Sequence, residues 1–194
     1  MIRCEVCDHG SVFTLGLLTA HPLPERPELV PEVVRSALEA LGWMDAVGVV
    51  EIDPAVSDTA ATQAAFELDP WTLANCVVVA GSRSGQERIA ACVALATTRV
   101  DVNRVVRKRL DVRSASFLPM ERAVEETGME YGGITPVGLP SSWSLFVDAR
   151  VIRQPVVIVG SGIRASKLVL PGALLAELPG AEVIDDQAIE LPRD

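Results

Sequence analysis

Between residues 127 and 140 the chain reads Thr-Gly-Met-Glu-Tyr-Gly-Gly-Ile-Thr-Pro-Val-Gly-Leu-Pro, with glycine at 128, 132, 133 and 138 and proline at 136 and 140. Glycine permits close backbone approach to a ligand, and proline fixes the shape of the loop around it. A loop of this kind can aim backbone N–H groups at a substrate carbonyl. A second glycine loop, Val-Gly-Ser-Gly-Ile-Arg-Ala over residues 159–165, follows an apolar run. It matches the dinucleotide fingerprint G-x-G-x-x-A, but such a fingerprint must open a helix. Here residues 167–170 read as a strand and Pro171 follows, so a nicotinamide or flavin site is disfavoured and no cofactor is expected.

Other catalytic templates fail on composition. No histidine follows His21, so the main body holds no Ser-His or Cys-His pair. The Gly-Ser-Gly loop lacks the spacing of a nucleophile elbow, and no P-loop occurs. Cys4, Cys7, His9 and His21 could supply four zinc ligands, but a single Cys-x-x-Cys pair in a terminal segment is a weak signal, and no metal site is expected.

These loops need elements to hold them. From Pro31 onward the pattern is regular. Helical spacing predicts helices over residues 31–42, 59–68, 101–110 and 119–127, with a short one at 172–178. Apolar runs predict strands at 47–52, 76–80, 89–96, 145–151, 156–159, 167–170 and 182–184. Several strands are joined too closely for a parallel crossover, so those pairs must be antiparallel. The expected fold class is α/β, a mixed and partly barrel-like sheet with flanking helices. Residues 31–194 are expected to form one domain. Residues 1–30, with the proline-rich run HPLPERPELVP, are expected to form a separable extension and extended linker.

A chain of 194 residues can bury a sizeable core without staples. Its 49% hydrophobic and 4% aromatic content requires that core to be mostly Val, Leu, Ile and Ala. Cys76 and Cys92 sit in apolar runs and read as small core residues. The segment 12–20 has the wrong flanking charge for a secretory signal, and no apolar run approaches a membrane span. A cytoplasmic location is expected. The net charge of −9 argues against coating of nucleic acid, DNA included. Residues 99–113 nevertheless carry +4, and Arg104, Arg107 and Lys108 share one face of the helix expected there. That face is a candidate for RNA phosphate contact.

With those residues in view, the chain resembles the YbaK and prolyl-tRNA synthetase-associated domain family. The resemblance runs from about residue 73 to 184, and more weakly back to 31. It rests on Gly132-Gly-Ile-Thr-Pro136 with Gly138 following, on the strand bearing Asp148, and on Gly160-Ser-Gly-Ile-Arg164. It implies a trans-acting hydrolase that removes a wrongly attached amino acid from tRNA, with association with an aminoacyl-tRNA synthetase as a further expectation. By that resemblance Gly132, Gly133 and Thr135 are the candidate catalytic positions. Asn75, Pro136, Asp148, Gly160, Ser161, Gly162, Arg164 and Lys167 are the candidate substrate-binding ones. One position departs from the family pattern: where a lysine opens the strand, this chain has Asn75. Either Arg164 or Lys167 supplies the missing charge, or the site is a binding module that does not hydrolyse.

Overall fold

The computed structural model describes residues 3–7 and 10–192. The chain opens with three antiparallel strands, β1 (Arg3–Cys7), β2 (Gly10–Leu15) and β3 (Leu18–Pro22). Helix α1 (Glu32–Leu41) and strand β4 (Gly48–Glu51) follow, then helix α2 (Thr59–Phe66). The long hairpin β5 (Ala74–Arg83) and β6 (Gln86–Leu95) leads into short β7 (Thr98–Val100). A π-type turn, Val102–Val106, runs into the single turn α3 (Arg107–Arg109), and then β8 (Ala115–Phe117) and α4 (Met120–Thr127). After the first glycine loop come β9 (Ser144–Asp148), α5 (Ala149–Ile152), β10 (Val157–Gly160) and β11 (Ser166–Leu170). Strands β12 (Ala181–Ile184) and β13 (Ala188–Glu190) finish the chain.

The strands form a six-stranded sheet ordered β1-β2-β3-β4-β11-β10, a five-stranded sheet ordered β12-β9-β6-β5-β8, and the pair β13-β7. The mixed α/β architecture with a curled, half-barrel sheet is the one expected from the pattern. The β5–β6 and β10–β11 hairpins are antiparallel, as their short connections demand. Alternation along β5 assigns its two faces. Ala74, Cys76 and Val78 point to the main core, while Val77 and Val79 point to an outer cluster under Val106 and Leu110. Val49, Val157, Val159, Leu168 and Leu170 of the six-stranded sheet pack into the same main core from the other side. A parallel bridge between Leu73 and Ile158 ties the two sheets together beside the start of β5.

Two expectations need correction. Residues 18–30 are not an extended linker. Leu18, Ala20, Leu23, Leu29 and Val30 are buried, and β3 pairs with β4, with His21 opposite Val49. The prolines open two short 3-10 turns, Leu23–Glu25 and Pro27–Leu29, in which a missing N–H costs nothing. Packing therefore places no boundary at residue 30. The strand expected over 145–151 stops at Asp148, whose carboxylate caps α5 by accepting from the Arg150 N–H at 2.9 Å.

Candidate active site

The two glycine loops interlock. Glu130 donates its N–H to the Gly162 carbonyl at 2.8 Å, and Gly162 donates its own to the Gly133 carbonyl at 2.7 Å. The Glu130 carboxylate accepts the Arg164 N–H at 2.7 Å. Side chains are excluded at this junction. A Cβ on Gly133 would lie 2.6 Å from the Ile163 backbone, and one on Gly160 only 2.4 Å from the Gly133 carbonyl oxygen. Gly132 and Gly162 adopt φ of +83° and +96°, a region open mainly to glycine.

This junction walls a cavity of about 500 Å³. Gly132, Ile134, Gly160 and Arg164 form one side, and Ala74, Val78, Leu118 and Ile158 give it an apolar interior. The polar part of the lining is the segment Ser57–Asp58–Thr59 with Asn75 and Lys167, and Lys167 is the cross-strand partner of Gly160. Local capping fixes that segment. Asp58 opens α2 by accepting the Ala61 N–H at 2.9 Å, and Thr62 donates its hydroxyl to the Val56 carbonyl at 2.7 Å. The Ser57 carbonyl is thereby held toward Lys167, whose Nζ donates to it at 2.6 Å. Thr59 donates its hydroxyl to Asn75 Oδ1 at 2.5 Å. Ser57 thus holds Lys167 and Thr59, two residues on, holds Asn75, so one short segment ties down both side chains.

The electrostatics centre on Lys167. Its side chain is nearly buried, and desolvation lowers its pKa, helped by the Arg164 charge and opposed by Asp58. Arg164 is exposed, donates to the Pro54 carbonyl at 3.0 Å, and lies against Gly132. Cys76 also borders the cavity, but burial pushes its thiol up to about 12, which leaves no thiolate nucleophile near neutral pH.

The candidate residues divide clearly. Gly132, Asn75, Gly160, Arg164 and Lys167 line the cavity. Gly133, Thr135, Pro136, Ser161 and Gly162 stand behind it. Gly133 spends its N–H on the Glu130 carbonyl at 2.9 Å, so it shapes the loop and does not offer a donor. The Gly132 N–H makes no hydrogen bond among the described residues. Thr135 is fully buried, and its hydroxyl has no partner among the described residues. Ser161 bonds the Ser166 hydroxyl at 2.7 Å and braces the second loop. Asp148 is remote from the cavity: its carboxylate is buried and bound by Arg150 and by the Ala188 N–H, a wholly structural set.

Arg104, Arg107 and Lys108 are exposed, but their helix packs through Val106 and Leu110 on the sheet face turned away from the cavity. Arg104 pairs with Asp101 at 3.1 Å. Of the possible zinc ligands, His9 and the side chains of Cys4 and Cys7 lie outside the described residues, and His21 is exposed. Among the described residues, no three His, Cys, Asp or Glu side chains gather as a metal site, and no helix is long and apolar enough to cross a membrane. Residues absent from the sequence reading also line the cavity: Ser57, Asp58 and Thr59, whose only sequence signal is a helix cap, and the aromatics Phe117 and Tyr131.

The profile of the aminoacyl-tRNA editing domain family matches residues 53–178, well over half of the chain. The chain belongs to that family. Solved structures agree on the fold. A candidate trans-editing enzyme for prolyl-tRNA synthetase superposes with a TM-score of 0.67 at 21% identity, covering 79% of this chain and 93% of that one. The hypothetical protein APE2540 gives 0.69 at 21% identity, covering 79% and 98%. A scaffold used for computational epitope grafting gives 0.67 at 21%, covering 82% and 96%. The family profile contains the glycine loops, the 57–59 segment and Lys167, so the editing family and the cavity coincide in sequence.

Proposed function

We propose that this protein is a trans-acting aminoacyl-tRNA deacylase that hydrolyses the ester of a mischarged tRNA in the cytoplasm. The observation that carries the reading is the cavity, lined by both glycine loops and by a buried lysine. An aminoacyl ester is already activated, so water needs no protein nucleophile to attack it. Water adds to the ester carbonyl, the carbon–oxygen bond to the ribose breaks, and the amino acid and the tRNA hydroxyl are released. The Gly132 N–H donates to the developing oxyanion, a kind of contact worth about 3 kcal/mol where it has been removed in other enzymes. Lys167 supplies the positive charge that the family places at the position of Asn75. Its contact with Ser57 and the Thr59–Asn75 hydrogen bond, two residues apart, support this reading.

The named partner is the acceptor end of aminoacylated tRNA, with an aminoacyl-tRNA synthetase as a companion by analogy with the structural relative described for prolyl-tRNA synthetase. Arg104, Arg107 and Lys108 serve as a phosphate contact away from the reacting ester. A second reading, a module that binds aminoacyl-tRNA without cleaving it, is favoured by one observation, the uncharged Asn75. Release of amino acid from a panel of mischarged tRNAs separates the two readings. Loss of label above the spontaneous rate supports hydrolysis, and saturable binding with no loss supports the module.

A further inference from the structure

The chain has eight aromatic residues in 194. Among the described side chains only two aromatics are largely exposed, Phe117 at 62% and Tyr131 at 57%. Both border the same cavity. They reach it from different elements: Phe117 ends β8, and Tyr131 sits in the first glycine loop directly before Gly132. Met120, 49% exposed, opens α4 on the same rim. Leaving such surface in water is unfavourable, and concentrating it at one cavity mouth marks a ligand-binding rim.

Chemistry selects the ligand. A flat π-surface wants another flat π-face, and the same lining offers hydrogen-bonding groups on Thr59 and Asn75. Aromatic faces and polar groups in one lining suit a nucleobase with its ribose. The basic helix cannot hold the same end of the nucleic acid, because it lies across the sheet from the cavity. Arg164 and Lys167 in the lining can meet phosphate, and stacking supplies affinity that depends on the base.

We propose that Phe117 and Tyr131 form a stacking subsite for the terminal nucleobase of the aminoacylated strand, a reading that rests on the deacylase assignment for its substrate. The base is held outside, and the amino acid passes inward between Gly132 and Lys167.

The test titrates the full chain with adenosine monophosphate and with ribose 5-phosphate, which lacks the base. The nucleotide is expected to bind at least about tenfold more tightly. Phe117→Ala and Tyr131→Ala are each expected to weaken nucleotide binding about tenfold, with Tyr131→Phe retaining it. Both residues are exposed, so circular dichroism is expected to show folded variants. Equal affinity for the two probes, or undiminished nucleotide binding by the double alanine variant, overturns the subsite. A second arm compares kcat/KM for an aminoacyl-nucleoside and an aminoacyl methyl ester. Hydrolysis of both with no preference overturns the subsite and leaves the deacylase standing. Nucleotide binding with hydrolysis of neither supports the subsite and overturns the deacylase.

Discussion

Gly162 donates its backbone N–H to the carbonyl of Gly133 at 2.7 Å, so two loops some thirty residues apart form a single rigid wall. The wall tolerates no side chain at its seam, and its cavity-facing position, Gly132, is separable from the seam itself.

That separation gives different outcomes for neighbouring glycines. Gly133→Ala drives a Cβ into the Ile163 backbone and is expected to cost about 1–3 kcal/mol of stability. Gly132→Ala meets only the Arg164 guanidinium, at 3.1 Å, and its positive φ costs about 1–2 kcal/mol. The Gly132 variant is therefore expected to fold but to lose most of its hydrolysis, read as kcat alongside the urea midpoint. Full turnover by a folded Gly132→Ala protein would show that hydrolysis does not depend on the positive-φ geometry that aims this N–H.

Lys167 makes a pH-dependent statement. Its folded pKa is below the ordinary 10.5, so burial penalises the charged form. At pH below the folded pKa the penalty is fully present. As pH rises from there toward 10.5, the unfolded chain holds more protons than the folded one, and stability is gained. Urea denaturation across that window is expected to show this rise in the wild type and its loss in Lys167→Met. A parallel profile in both proteins would contradict it.

If Lys167 stands in for the family lysine, the charge should be transferable. Lys167→Met is expected to lower kcat strongly, and adding Asn75→Lys to that variant to recover part of it. Asn75→Lys in the wild type is expected to add little, because a cation is already present. A large gain in the wild type would show that Lys167 does not fill the role.

The opening strands are predicted to be integral. Leu23 is fully buried in the main core, and Leu18 and Ala20 in the cluster behind the six-stranded sheet. Leu23→Ala is expected to cost about 2–5 kcal/mol. Deleting residues 1–28 is expected to abolish cooperative unfolding, measured by thermal melting; an unchanged melt would restore the separable extension.

Much of the fold is legible from residue pattern, and the resemblance names several residues that line the cavity. Val34 and Leu38 announce α1, Gly42 its end, and the clustered glycines and prolines of 128–140 a loop, which lines the cavity through Gly132 and Ile134. The opening strands are hidden because Pro22, Pro24 and Pro27 look like a linker, although Pro22 ends β3 and Pro24 and Pro27 sit where a short turn needs no N–H. Asp148 is a candidate by resemblance alone, and its role as a cap is hidden because Val147, Val151 and Ile152 imitate one continuous strand. Spacing could not show which of Arg164 and Lys167 is the buried cation, since that depends on Ser57 meeting Lys167 across 110 positions. Phe117 and Tyr131 went unnoticed because a lone aromatic usually belongs to the core.

The basic helix predicts a remote effect. Neutralising Arg104, Arg107 and Lys108 is expected to weaken binding of different tRNAs alike and flatten its salt dependence. Equal affinity and an equal salt slope would place the phosphate contact elsewhere.

The central claim is that ester hydrolysis occurs in the cavity between Gly132 and Lys167. Its most direct measurement is release of labelled amino acid from a panel of mischarged tRNAs, by the wild type and by Lys167→Met at matched folded concentration. The account predicts release above the spontaneous rate for at least one aminoacyl-tRNA, and its collapse in the variant. Spontaneous rates with every member of the panel, or release that survives the loss of Lys167, would contradict it.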